Sequence, residues 1–175
     1  MGKTWKKGRG KLGFMQPLLG QWEASQNSPI GPLLCVRAFE EVLGGSYIRL
    51  TARWMFGSGI KAKDASTAPS TGSPSKPKKP KAYEEIALIG VGDDRNLCFW
   101  SFTSDGKRSQ GTLSEATDLH PLAICFEAHM PAGLARMAYW PDDADGFFWA
   151  VESKNAKGWN RFTEHHYRPL PAPPT

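Results

Sequence analysis

Between residues 19 and 168 the chain repeats one pattern, short alternating apolar runs cut by turn-forming clusters. Ile48, Leu50, Ala52, Trp54 and Phe56 alternate with Tyr47, Arg49, Thr51 and Arg53, a period of two that gathers the apolar set on one face of an extended strand. Leu122, Ile124 and Phe126 repeat it. Turn signals stand at Asn27–Pro32, Gly44-Gly45, Gly92–Arg95, Asp105-Gly106, Thr117-Asp118, Pro131–Gly133, Asp142–Gly146 and Lys154–Gly158. They leave ten expected strands, at 19–26, 33–42, 46–56, 83–91, 96–103, 109–116, 120–129, 134–140, 147–153 and 159–168. Only Lys11 to Leu19 suits a helix, a short turn that would plug one end. The predicted fold is all-β, a ten-stranded antiparallel up-and-down barrel, because closure removes the two exposed edges of a meander. A two-sheet sandwich is the other arrangement this alternation allows.

At 175 residues the chain has the length of one domain, here residues 12–168. Residues 1–11 form a basic N-terminal tail and residues 169–175 a Pro-rich C-terminal one. Residues 57–82 are a Ser, Pro and Lys-rich insertion whose only large apolar residue is Ile60, so disorder is expected there. The net charge of +5 comes from these appendages: residues 1–11 and 57–82 carry +5 each, leaving the remainder at −5. Basic charge confined to tails, without interleaved aromatics, argues against a folded nucleic-acid surface. Cys35, Cys98 and Cys125 are odd in number and far apart, reading as buried thiols in a reducing compartment. No apolar run reaches the roughly 20 residues of a membrane span, and no cleavable leader is recognisable. The expected location is the cytoplasm, and the expected state a monomer or weak homodimer.

The familiar chemical signatures are missing. There is no Gly-x-Ser-x-Gly, no phosphate-cradling glycine loop and no His-x-x-x-His pair. Asp142–Gly146 reads as an acidic hairpin turn, since a calcium loop needs a trailing Glu. His165 and His166 are adjacent in a strand and face opposite ways, so they do not chelate one metal together. Steps of two from Trp159 put Arg161, Thr163 and His165 on one face, with Phe162, Glu164, His166 and Arg168 on the other.

Gly20-Gln21-Trp22 opens the first strand and Tyr167-Arg168 closes the last. With the runs PLLGQWEAS, RAFEEVLGGSYIRL and FTEHHYRP in that order, the chain resembles the calycins, and among them small bacterial barrels of unknown function. The resemblance covers most of residues 17–168 apart from the insertion. It implies a lipocalin-like barrel in which Gly20, Trp22 and Arg168 serve closure, the guanidinium lying across the indole where first and last strands meet. Fatty-acid-binding proteins are more distant relatives with a helical lid, for which Asn27–Pro32 leaves no room. Nitrobindins, ten-stranded haem binders, carry a longer glycine opening; Ala24 and Gln26 stand at its later glycines here.

The expected function is non-enzymatic binding of a small hydrophobic, anionic ligand inside the barrel. Trp54, Trp100, Phe126, Trp149 and His165 are the expected lining, with Arg161 as carboxylate partner. Alternating connections put Asp93, Asp94, Arg95, Asp118, Asp142, Asp143 and Asp145 at one end and Asp105, Lys107, Arg108, Lys154 and Lys157 at the other. A cavity mouth at the second, basic end favours anions. No cofactor, metal or catalytic residue is expected. Two alternatives stand beside this reading: a haem barrel doing peroxide or nitrogen-oxide chemistry through His165, and a filled barrel acting as a protein-interaction module.

Overall fold

A computed structural model describes residues 5–28, 31–57 and 81–171. Ten antiparallel strands close into a barrel. They are β1 (Gly20–Ser28), β2 (Gly31–Val42), β3 (Tyr47–Phe56), β4 (Lys81–Val91), β5 (Leu97–Thr103), β6 (Arg108–Ser114), β7 (Ile124–Met130), β8 (Gly133–Pro141), β9 (Phe147–Asn155) and β10 (Gly158–Pro169). Each strand pairs with its sequence neighbours, and β1 pairs with β10. Among the described residues the only helix is a 3-10 turn, Gly13–Leu18, and no helix is long and apolar enough to cross a membrane.

Alternation fixes which side chains fill the interior. Leu33, Cys35, Arg37 and Phe39 of β2 are buried in succession, as are Ile48, Leu50, Ala52 and Trp54 of β3. Gly20 has φ +125°, a conformation that costs a side chain dearly, and there the chain leaves the 3-10 turn and enters β1. Met15 and Leu18 of that turn are fully buried, and the Trp22 indole N–H donates to the Leu18 carbonyl at 2.7 Å. Trp22 meets Phe147 edge-on, centroids 4.8 Å apart. The lower half of the barrel is thereby packed solid, with Phe39, Ile48, Leu50, Ile89, Tyr139 and Tyr167 all nearly inaccessible.

Three expectations need correction or trimming. Arg168 does not cover Trp22: it sits opposite Glu23 in register and is exposed, whereas Trp22 points inward and is 2% exposed. Neighbouring positions on a strand face opposite ways, so a guanidinium level with Glu23 cannot share the face of Trp22. Leu122 is not an inward strand residue. His120 Nδ1 accepts from the Leu122 N–H and the His120 carbonyl from that of Ala123, so β7 begins only at Ile124 and Leu122 is 52% exposed. The insertion is shorter than its composition suggests, because Lys81 and Ala82 already pair with Phe56 and Met55. Residues 58–80 lie outside the described residues.

The seam is narrow. β1 and β2 share nine rungs, but β1 and β10 share only Trp22↔Pro169 and Glu23↔Arg168, helped by Leu170 N–H to the Gln21 carbonyl at 2.9 Å.

Candidate functional site

Above the packed half lies a cavity of about 710 Å³. Its origin is an imbalance of side-chain size across the interior. One wall carries Trp54, Tyr83 and Trp149, while Ser101, Ser109, Gly111, Ala128 and Ala135 on β5–β8 are too small to reach them. At Gly111 a Cβ would stand 2.8 Å from the Glu127 carbonyl oxygen, so close approach of β6 and β7 requires glycine there. The strand ends around the cavity lead to the turns that hold Lys107, Arg108, Lys154 and Lys157.

The sequence-predicted lining divides. Trp54, Phe126, Trp149 and His165 border the cavity. Trp100 does not: it is on the outer face, tilted against Tyr47 at 6.4 Å, and its neighbours Phe99 and Ser101 face in. The run Leu97–Phe102 is apolar on both faces, so its alternation gives no phase. Arg161 is also outside. A β-bulge between Arg161 and Thr163 adds Phe162 to the strand and reverses the phase, so Thr163 and His165 face the cavity while Arg161 pairs with Glu152 on the exterior. There its Nε donates to Glu152 at 3.0 Å, its Nη1 to Glu164, and its guanidinium lies over Trp140. Buried Arg136 completes this outer network, bonding Glu152 at 2.6 Å and both oxygens of Asp118.

The interior cation is Arg37, which sequence reasoning passed over. It is fully buried beneath the cavity, within 4.3–5.6 Å of the ring centroids of Trp149, Tyr167, Trp54 and Tyr139. Its Nη1 donates to the Tyr139 hydroxyl at 2.8 Å, but Nε and Nη2 have no hydrogen-bond partner. Glu85 also faces in and borders the cavity, its Oε1 accepting from Ser101 at 2.6 Å. Arg37 is level with Ala52 of β3, and Ala52 with Glu85 of β4, so the two charged side chains flank one small residue on a single rung. The one available signal was phase: Arg37 alternates with Leu33, Cys35 and Phe39, and Glu85 with Ala87 and Ile89.

A second polar chain runs from floor to cavity. The Tyr167 hydroxyl lies 2.8 Å from Cys35 Sγ and 3.2 Å from His165 Nδ1. Burial, with the Arg37 charge adding to it, lowers the His165 pKa to about 4, so the imidazole is neutral near pH 7. Burial pushes the Cys35 thiol up and the Tyr139 hydroxyl up to about 12, holding both protonated. Among the described residues no three His, Cys, Asp or Glu side chains group as a metal site. In comparisons with known proteins, the chain matches no family model and no curated protein.

Proposed function

We propose that this chain is a calycin-like carrier that holds a small hydrophobic molecule in the open half of its barrel and performs no chemistry on it. The single observation behind this is the cavity of about 710 Å³ with aromatic walls, within the roughly 300–1,000 Å³ usual for small-molecule sites. In this reading the 3-10 turn plugs the closed end, and the protein works in the cytoplasm as a monomer or weak homodimer. The preference for an anion loses its expected partner, because Arg161 is engaged with Glu152 and Glu164 outside. What supports an anion now is the basic turns at the mouth and the Arg37 charge below. Glu85 inside the cavity opposes it.

His165 borders the same cavity as a neutral imidazole, which gives haem a place among the test's outcomes. The test is to purify the protein, record its absorption spectrum and identify what is released on denaturation by mass spectrometry. A colourless protein releasing a small apolar molecule supports the carrier. A Soret band that disappears in His165→Ala replaces it with the haem protein. An unliganded protein that binds no apolar probe leaves the interaction module.

A further inference from the structure

The carrier reading leaves open which polar atom of the cavity meets the ligand, and His165 is placed to do so. Its imidazole is 3% exposed and borders the cavity, on the same face of β10 as Thr163 towards the mouth and Tyr167 towards the floor. Nδ1 turns down to the Tyr167 hydroxyl, so Nε2, across the ring, turns up. Nε2 has no partner among the described residues, yet it is not one of the sealed unpartnered atoms, which are two Arg37 nitrogens and Trp149 Nε1. Unlike those, it keeps surface open to the cavity. Which nitrogen holds the proton follows from the bonds below. Tyr167 Oη has two polar neighbours, Cys35 Sγ at 2.8 Å and His165 Nδ1 at 3.2 Å, and one proton to give. An imidazole nitrogen is the strong acceptor of the two and a thiol sulfur the weak one, so the hydroxyl donates to Nδ1. The Cys35 thiol, fully buried and held protonated, then donates to Tyr167 Oη. The reverse arrangement, Nδ1–H to Tyr167 and Tyr167 to sulfur, leaves a buried thiol proton without an acceptor. Arg37 belongs to the same floor, 5.2 Å from the Tyr167 ring centroid, and its charge favours a bare Nδ1 on that side and the N–H on the other.

We infer that His165 is the polar anchor of the cavity, its Nε2–H donating to a neutral carbonyl oxygen on an otherwise apolar ligand, with Tyr167 and Cys35 positioning that tautomer from below. Trp149 stands opposite His165 in register, ring centroids 5.0 Å apart, and offers the apolar body a flat wall beside the anchor. A carboxylate would accept from the same N–H, but Glu85 already brings negative charge into this cavity, so a ketone or an ester fits better. Iron in the cavity needs the opposite tautomer, because Nε2 binds a metal only through a bare lone pair. The two readings of His165 therefore part at one proton. This inference rests on the carrier reading and specifies its ligand class. It also replaces the anionic head expected from the sequence with a neutral one.

Two measurements test it. The first needs no ligand: nitrogen-15 NMR of the native protein at neutral pH should give His165 Nε2 the shift of a protonated imidazole nitrogen and Nδ1 that of a bare one. The second compares 2-acetylnaphthalene with 2-isopropenylnaphthalene, the same shape with a methylene in place of the carbonyl oxygen, each displacing the dye N-phenylnaphthylamine. Ketone and hydrocarbon leave water at different cost, so the readout is the change on substitution. His165→Phe should weaken the ketone about fivefold, the worth of one buried hydrogen bond, and leave the hydrocarbon unchanged. In the native protein the Nε2–H proton resonance should move downfield with the ketone and stay in place with the hydrocarbon. Tyr167→Phe, which keeps the ring, should shift both nitrogens towards a mixture of tautomers and weaken the ketone alone. A protonated Nδ1 and bare Nε2 in the native protein overturn the anchor and return His165 to the metal-binding form. Equal responses of the two probes to His165→Phe, with the Nε2–H resonance unmoved, overturn the anchor while the apolar carrier stands. Tautomer and ketone affinity both unchanged in Tyr167→Phe overturn its positioning role. Failure of both probes to displace the dye, and of the dye to bind, removes the carrier reading and the anchor with it.

Discussion

The guanidinium carbon of Arg37 lies 4.3 Å from the ring centroid of Trp149, so the barrel's most deeply buried charge is roofed by an indole that also borders the cavity. Arg136 is just as inaccessible but meets Glu152 at 2.6 Å and Asp118 twice. Two buried arginines with opposite surroundings should respond oppositely to the same change. Arg37→Met removes a cation with no ion pair and should raise unfolding free energy by about 1 kcal/mol, the lower end for replacing buried charge with apolar volume. Arg136→Met leaves buried Glu152 paired with Arg161 alone and should cost about 3 kcal/mol, the lower end for breaking a buried pair. Denaturant unfolding of the two variants checks the pair. Destabilisation by Arg37→Met on the scale of Arg136→Met would show that the aromatic cage compensates the charge fully.

Trp22 and Arg168 separate in the same way. Trp22 joins the 3-10 turn to β1 and packs on Phe147, so Trp22→Ala should cost about 3–5 kcal/mol. Arg168 is exposed beside Glu23, and Arg168→Ala should stay within about 0.5 kcal/mol. Equal losses in thermal and denaturant unfolding would mean that the guanidinium contributes to closure after all.

His165 makes stability depend on pH. Its folded pKa of about 4 is below the unfolded value of 6.5, so between these the unfolded chain binds more protons. Stability therefore rises with pH through this window, is complete above about 6.5, and is lost as pH falls towards 4. The whole effect is about 3 kcal/mol at 1.36 kcal/mol per unit. Unfolding free energies between neutral pH and pH 4 should show this slope in the native protein, and His165→Gln should flatten it. A slope unaffected by that substitution would assign the acid sensitivity to other groups.

The two-rung seam should open first. Backbone amides in the mouth half of β1 and β10 are expected to exchange with solvent faster than those of the ten-rung β2–β3 pair. Native-state hydrogen exchange read by NMR tests this, and uniform protection around the barrel would contradict it.

Most of the fold was legible because most strands alternate and each turn carries Gly, Pro, Asn or Asp. Every expected strand has a counterpart, and the mismatches have local causes. Side-chain and backbone bonds of His120 delay the start of β7, and Lys81-Ala82 extend β4 at the expense of the insertion. The site was less legible because lining depends on phase, which strand existence does not supply. The inward phase of Trp54 was legible from a clean alternation. Trp100 was misread in a run apolar on both faces, and Arg161 was misread because one bulged residue, Phe162, reverses the strand. Arg37 and Glu85 stand in the inward phase of their strands, but charge in that phase contradicts the usual rule that interiors are apolar. That the two share a rung with Ala52 between them comes from the strand register, which the sequence does not supply.

The central claim is that the open half of the barrel holds an apolar molecule, and filling that half tests it most directly. Ala128 borders the cavity on the wall of small residues, so Ala128→Trp should occupy the space without disturbing the packed half below. Native protein is expected to bind the neutral dye N-phenylnaphthylamine saturably at one site per chain, with quenching of tryptophan emission from Trp54 and Trp149. Ala128→Trp should abolish that binding with its melting temperature maintained. Binding that persists undiminished in a folded Ala128→Trp protein, or no binding by the native protein, would contradict the account.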